Sequence, residues 1–195
     1  MPEHIRGLER DHRGYPIPWF VHRPADGSID FRVMDPNHML LSVRNRLCWV
    51  CGKPHDEGVV AFIGGPLSTA QGIYADPPSH LDCAMFSVKV CPFLAIPTAK
   101  HREANLPGHA TVIPGVITQN PEVFGVLITD DYHFVGVHIK ANPPSAIHWY
   151  CGGKPASRVQ VKAAIQAGLR RDDVRNNLLA AQIRKLSRNL PLPVF

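Results

Sequence analysis

Apolar and polar positions alternate in short bursts along this chain, and the bursts predict a mixture of brief strands and helices. Residues 15–23 (YPIPWFVHR) and 29–34 (IDFRVM) read as strands, and the turn chemistry of residues 25–28 between them predicts a hairpin. Asp35-Pro36 then has the form of a helix start, an Asp to cap the free N–H groups and a Pro at the first helical position. Met39, Leu40, Val43 and Leu47 would give that helix its apolar face. Residues 59–63 (VVAFI) predict a strand closed by Gly64-Gly65-Pro66, and a second strand is expected near residues 72–75. A helix is expected from His80 to Val90, ended by Pro92, because the residue before a proline is pushed out of helical geometry.

The second half repeats the mixture. Residues 123–129 (VFGVLIT) and 132–139 (YHFVGVHI), joined through Asp130-Asp131, form the clearest hairpin pattern in the sequence, and residues 147–151 predict a third strand. On the second of these strands His133 and His138 stand at odd offset, which predicts that they face opposite sides of the sheet. Ser157 and Gln160 have capping-box spacing and open a helix expected to stop at Gly168. A last helix is expected over residues 172–189, with Leu179, Ile183, Leu186 and Leu190 on one face. Residues 95–107 read as a linker. The expected organisation is therefore α+β, with a zinc-binding region over residues 1–95 and an α+β region with basic C-terminal helices over residues 108–195.

Composition changes this picture in two ways. Apolar content of 45% and charged content of 19% describe a chain able to bury a core, and 19 prolines favour short elements joined by loops. The opening residues 1–13 are charged and lack an apolar stretch, so a secretory leader is not expected. No run approaches the length of a membrane span. The expectation is a cytoplasmic protein with no membrane partner, in which five cysteines serve as metal ligands or free thiols instead of a disulfide framework.

Charge is uneven. The chain carries a net +5, and residues 154–188 alone hold nine Lys or Arg against two Asp. Such a bias favours an anionic partner. Arg171, Arg175 and Lys185 fall within about 80° of one another at 100° per residue, so they are the candidate nucleic-acid contacts. His148, Trp149 and Tyr150 offer a candidate stacking platform for a base.

The sharpest chemistry lies in Cys48-x-x-Cys51 and His80-x-x-Cys83. A C-x-x-C turn presents two sulfurs on one side of a tight loop, and Gly52 lets the backbone fold back beneath them. His80 and Cys83, three apart, lie on one face of a first helical turn. Four such ligands predict one closed, structural Zn²⁺ site, since a catalytic zinc keeps an open position. Cys91 and Cys151 are read as small apolar residues. The order of knuckle, hairpin and ligand-bearing helix resembles a treble-clef zinc finger over residues 48–90. Across residues 13–21, 30–36, 46–54 and 77–94 (RGYPIPWFV, DFRVMDP, RLCWVCGKP, PPSHLDCAMFSVKVCPFL), and less closely over residues 152–161, the chain resembles an uncharacterised family of proteins from actinobacteria and their phages. That resemblance implies the zinc finger and no activity.

The function expected from these features is that of a small zinc protein acting by binding, either to nucleic acid or to a protein of nucleic-acid metabolism. The alternative is an enzyme, such as an HNH-like nuclease or other hydrolase, with a site between the two regions and a histidine such as His109 or His133 in it. A nuclease of that type needs a general-base His on the hairpin and metal-binding His or Asn on the helix. Residues 57–75 hold no His and residues 81–90 neither His nor Asn, which leaves only His55 and Asp56 near the knuckle.

Overall fold

The computed structural model describes residues 1–55, 58–99, 120–171 and 179–193. Its centre is an antiparallel sheet in the order β1-β3-β6-β7, formed by Val60–Gly64, Val123–Thr129, Ala146–Cys151 and Lys154–Pro155. All seven residues of β3 are buried, which is why its sequence is a near-continuous apolar run instead of an alternation. Val123 packs on one face with Trp149, Val161, Ile165 and Ile183. Val126 packs on the other with Ala61, Ala84, Val88 and Tyr150. The helices supplying those layers are α3 (Pro66–Gln71), α6 (Arg158–Arg170) and α7 (Leu179–Arg188) on the first face and α4 (Leu81–Val90) on the second. No described helix is long and apolar enough to cross a membrane.

A smaller antiparallel sheet, β2-β5-β4, is built from Ile73–Tyr74, His138–Ala141 and Tyr132–Val135. The strong hairpin expected from residues 123–139 does not form. β3 pairs with β1 and β6, and residues 132–141 fold on themselves as the β4–β5 hairpin, with Val135 opposite His138. Two forces produce this. β3 is apolar on both faces and is driven to a central position, and Gly136 at φ +62° supplies a two-residue turn that an L side chain resists. Asp130-Asp131 is then a corner between sheets. One consequence is that His133 and His138, opposite Lys140 and Val135 respectively, lie on the same face of the hairpin, not on opposite faces.

The hairpin expected over residues 15–34 is also absent. Pro16, Pro18 and Pro24 withhold the N–H groups a ladder needs, and only the bridges Arg10–Pro16 and Val21–Met34 remain. Helix α2 (Pro36–Arg44) starts as expected, with Asp35 accepting a hydrogen bond from the Asn37 N–H at 2.8 Å. Its inward residue is Ser42, whose hydroxyl donates to the Leu47 carbonyl at 2.6 Å, while Leu40 is 62% exposed. The capping box of Ser157 and Gln160 is present at the start of α6. Gly168 does not stop that helix but lies inside it, where a Cβ would come within 3.0 Å of Leu67 on α3. Of the last helix expected over residues 172–189, residues 172–178 fall outside the described residues.

The sheet runs through both expected regions: β1 of the first and β3 of the second are hydrogen-bonded neighbours from Val60–Thr129 to Gly64–Gly125. Between the two ligand pairs the chain forms β1, α3 and β2. β1 and β2 belong to different sheets, so the turn of Cys48 and Cys51 and the helix bearing Cys83 are not joined by the hairpin that the treble-clef resemblance led one to expect.

Candidate metal centre

Cys48 and Cys51 sit in a reverse turn over residues 48–52. The Gly52 N–H donates to the Cys48 carbonyl, and the Cys48 N–H to the Lys53 carbonyl, both at 2.8 Å. Gly52 holds φ +72° there. Backbone N–H groups also reach the first sulfur: Cys51 N–H at 3.5 Å and His80 N–H at 3.3 Å from Cys48 Sγ. Such donors favour the thiolate over the thiol. His80 is the N-cap residue of α4, yet its side chain makes no capping bond. Its ring turns instead toward the sulfurs.

The geometry of that ring is decisive. Nε2 lies 2.8 Å from the Pro54 carbonyl, which can only accept, so Nε2 carries a proton and Nδ1 is the nitrogen that faces the sulfurs, where a metal ion would displace any proton it holds. Nδ1 is 3.3 Å from Cys51 Sγ and 4.0 Å from Cys83 Sγ. The four candidate ligand atoms of Cys48, Cys51, His80 and Cys83 all lie within 4.8 Å of one another. A tetrahedral zinc with bonds of about 2.3 Å to sulfur and about 2.0 Å to nitrogen requires ligand–ligand separations near 3.5–3.8 Å. The donor set and spacing therefore fit a metal ion of that kind. All five cysteines are free, so no disulfide competes for these sulfurs.

Three of the four groups have shifted protonation. Burial pushes the Cys48 thiol up, but hydrogen bonds from Cys51, Cys83 and His80 outweigh it and hold Cys48 below the usual thiol range. His80 is raised to about 11, first by its hydrogen bond to Cys48 and then by that to Cys51. Cys83 is pushed up, first by its hydrogen bonding with Cys48 and then with Cys51, and burial adds to the effect. Beside that thiolate, His80 and Cys83 hold their protons. A divalent cation would replace those protons and allow every ligand its anionic or lone-pair form.

The surroundings are dry. Cys48 and Cys83 are fully buried, and Ile5 on the short helix α1 (Glu3–Arg6) packs on them with Val50, Leu8 and Phe86. His4 stacks on the His80 ring at a centroid distance of 4.2 Å, and its Nε2 is 4.0 Å from Asp82. His55 meets His80 edge-on at 5.2 Å. Sequence reasoning missed His4, Ile5 and the Pro54 carbonyl. A four-residue helix carries no periodicity, and a backbone acceptor carries no residue signature.

The remaining candidates are placed as follows. Cys91 and Cys151 are outside the cluster, and burial raises both thiols. Trp149 and Tyr150 are 4% and 6% exposed, the indole N–H donating to the Pro191 carbonyl, so they offer no stacking platform. His133 is exposed on β4. Arg171, at the C-terminal end of α6, and Lys185, on α7, are exposed, whereas Arg175, His109 and Asp56 lie outside the described residues. No protein-family model, curated protein or solved structure matches the chain.

Proposed function

We propose that this chain is a zinc protein whose metal organises the fold and whose exposed basic helices bind nucleic acid. The observation that carries the first part is the ring orientation of His80. With Nε2 committed to Pro54 and Nδ1 facing three buried sulfurs, the cluster offers four protein ligands and no vacant direction for substrate. Zinc is the ion that this thiolate-rich, imidazole-containing set suits.

The second part rests on α6 and α7. Each helix buries part of its apolar surface, Val161, Ile165 and Leu169 from one and Ile183 from the other, while Val159 and Leu186 stay exposed. Arg158, Lys162, Arg170, Arg184, Lys185 and Arg188 are left exposed. Arg158 and Lys162 are four apart, as are Arg184 and Arg188. Like charges at that spacing cost a helix about 0.2–0.5 kcal/mol per pair. Among the described residues no carboxylate forms an ion pair with any of these four. A surface that tolerates this repulsion suits a polyanion.

The test is a mobility-shift titration of the zinc-loaded chain with duplex DNA and with single-stranded RNA across a salt series. Binding that weakens steeply as salt rises supports the proposal. Absence of binding at low salt sinks its nucleic-acid part and leaves a protein partner as the object of the basic helices.

A further inference from the structure

The two sheets have four edge strands, and three of them are closed to further pairing. On β1, Ala61 exchanges both backbone hydrogen bonds with Ser79, at 2.9 and 2.8 Å. β7 is only Lys154–Pro155, a charged residue and one without an N–H, and β2 is only Ile73–Tyr74. Short length, Lys and Pro all blunt a sheet edge. β4 has none of these devices. Its residues are Tyr132, His133, Phe134 and Val135, and the turn beyond adds Val137. Phe134 is 50%, Val135 51% and Val137 88% exposed.

The ladder fixes which backbone groups β4 offers. The Asn142 N–H donates to the Asp131 carbonyl at 3.0 Å, and the Ala141 N–H turns the other way, to the Gly72 carbonyl beside β2 at 2.9 Å. Antiparallel pairs alternate between bonded and unbonded positions. His133–Lys140 and Val135–His138 are therefore bonded pairs, while Tyr132 and Phe134 direct their N–H and C=O groups away from β5. The Tyr132 N–H meets the Asp131 carboxylate, the first cause of that carboxyl lying below its ordinary range. Among the described residues nothing meets the Tyr132 C=O or either backbone group of Phe134.

The strand's own pattern selects its occupant. Bonds across the open edge can join only Tyr132 and Phe134 to outward-facing groups of a neighbour. A second β4 running antiparallel supplies them, with Tyr132 opposite Phe134 of the other copy and Phe134 opposite its Tyr132. That register pairs aromatic side chains on one face, a favourable cross-strand contact. It also joins unlike charges. Asp131, His133 and Val135 share the other face with Lys140 and His138. Asp131 comes opposite Val135 of the other copy, flanked by that copy's His133 and, one strand further, its His138. A parallel copy would set Asp131 against Asp131.

We infer that β4 is a self-association edge, through which two copies of this chain pair antiparallel about a twofold axis at His133 and join their small sheets into one of six strands. The inference is independent of the nucleic-acid reading. Four residues a side is far below the roughly 20–30 a side of a standard interface, so the dimer is a transient one.

The experiment is sedimentation equilibrium of the zinc-loaded full chain over about 1 μM to 1 mM protein, without nucleic acid. The expected result is a mass that rises with concentration from 21.6 kDa toward twice that value. Phe134→Pro removes an N–H that faces away from the chain's own ladder, so it should spare the hairpin and hold the mass at that of the monomer. Phe134→Lys should do the same. Val159→Lys, which removes another exposed apolar side chain on α6, should associate as the parent does. His133→Cys tests the register. Opposite its own copy at an unbonded pair, about 4.5 Å between Cα atoms, it stands within the disulfide range of about 4.4–6.8 Å. Mild oxidation should therefore give a covalent dimer that the parent does not form and that added Phe134→Lys suppresses. A monomer mass throughout would overturn the inference and leave the edge to a peptide strand of another protein. So would parental association in Phe134→Lys, equal loss in Val159→Lys, or a dimer in which His133→Cys gives no disulfide. Should Phe134→Pro fail to fold by circular dichroism, Phe134→Lys decides the matter alone.

Discussion

The indole of Trp19 lies against the Cα of Gly52: a Cβ built on Gly52 would stand 2.5 Å from Trp19 Cγ. Trp19 is fixed there by its backbone N–H, which donates to the Val50 carbonyl at 2.7 Å, and by His38, stacked on its ring at 4.1 Å. The knuckle that presents two sulfurs is thus backed by an aromatic wall with no space for a side chain. Gly52→Ala must meet both the wall and a left-handed φ of +72°. Overpacking costs about 1–3 kcal/mol. The left-handed backbone adds about 1–2 kcal/mol. The expected outcome is a loss of stability of that order in urea unfolding, together with weaker zinc retention against a chelator. An unchanged unfolding midpoint would show that the wall yields.

Elemental analysis of the purified chain should find about one zinc per molecule, as closed four-ligand sites do. Cys48→Ser and Cys83→Ser should lose it and unfold the surrounding shell of Ile5, Val50 and Phe86. Cys91→Ser and Cys151→Ser should keep it. Loss of zinc from Cys91→Ser alone would contradict the ligand assignment.

Zinc affinity should rise with pH. In the metal-free chain His80 is raised to about 11 and Cys83 is pushed up, so both carry protons at neutrality. Zinc must displace those protons, so they stand on the product side of the binding equilibrium and acid drives the ion off. Calorimetry in buffers of different ionisation enthalpy should detect proton release on binding at neutral pH. Chelator competition should show affinity falling as pH is lowered from 8 to 6. Affinity independent of pH in that window would mean that the ligands are already deprotonated without the ion.

Reversing Arg171, Arg184 and Lys185 to Glu should reduce DNA and RNA binding without loss of helicity, since all three are exposed. On duplex DNA the slope of log affinity against log salt should fall by about 0.9 for each phosphate that is no longer neutralised. Circular dichroism is measured in parallel. A folded triple variant that binds like the parent would leave the basic helices as a solvated face. Arg158→Glu with Lys162→Glu tests the α6 pair separately.

The cysteine–histidine cluster was legible because its geometry is local. Cys48 and Cys51 share one turn, and His80 and Cys83 share the start of one helix, so each pair needs only short-range geometry to be recognised. The capping box at Ser157 and the Asp35-Pro36 helix start were legible for the same reason. Residues 123–139 were not. Their strand character is real, but Asp130-Asp131 between two apolar runs looks like a hairpin turn when it is a corner between sheets. Gly168 misled similarly, since a glycine near a helix end signals a stop until Leu67 of another helix is seen to need its space.

By itself the sequence determined which cysteines and histidine could share one cluster, most of the helices and strands, and the concentration of positive charge near residues 154–188, because each depends on residue identity and spacing of a few positions. Only the tertiary structure decided which strands pair, that Ile5 and His4 cover the cysteine centre, and that Pro54 selects the His80 nitrogen facing it. These relations join residues far apart in the chain. They arise from burying β3 on both faces and from satisfying backbone groups that carry no residue signature, and neither cause leaves a periodic trace in the order of amino acids.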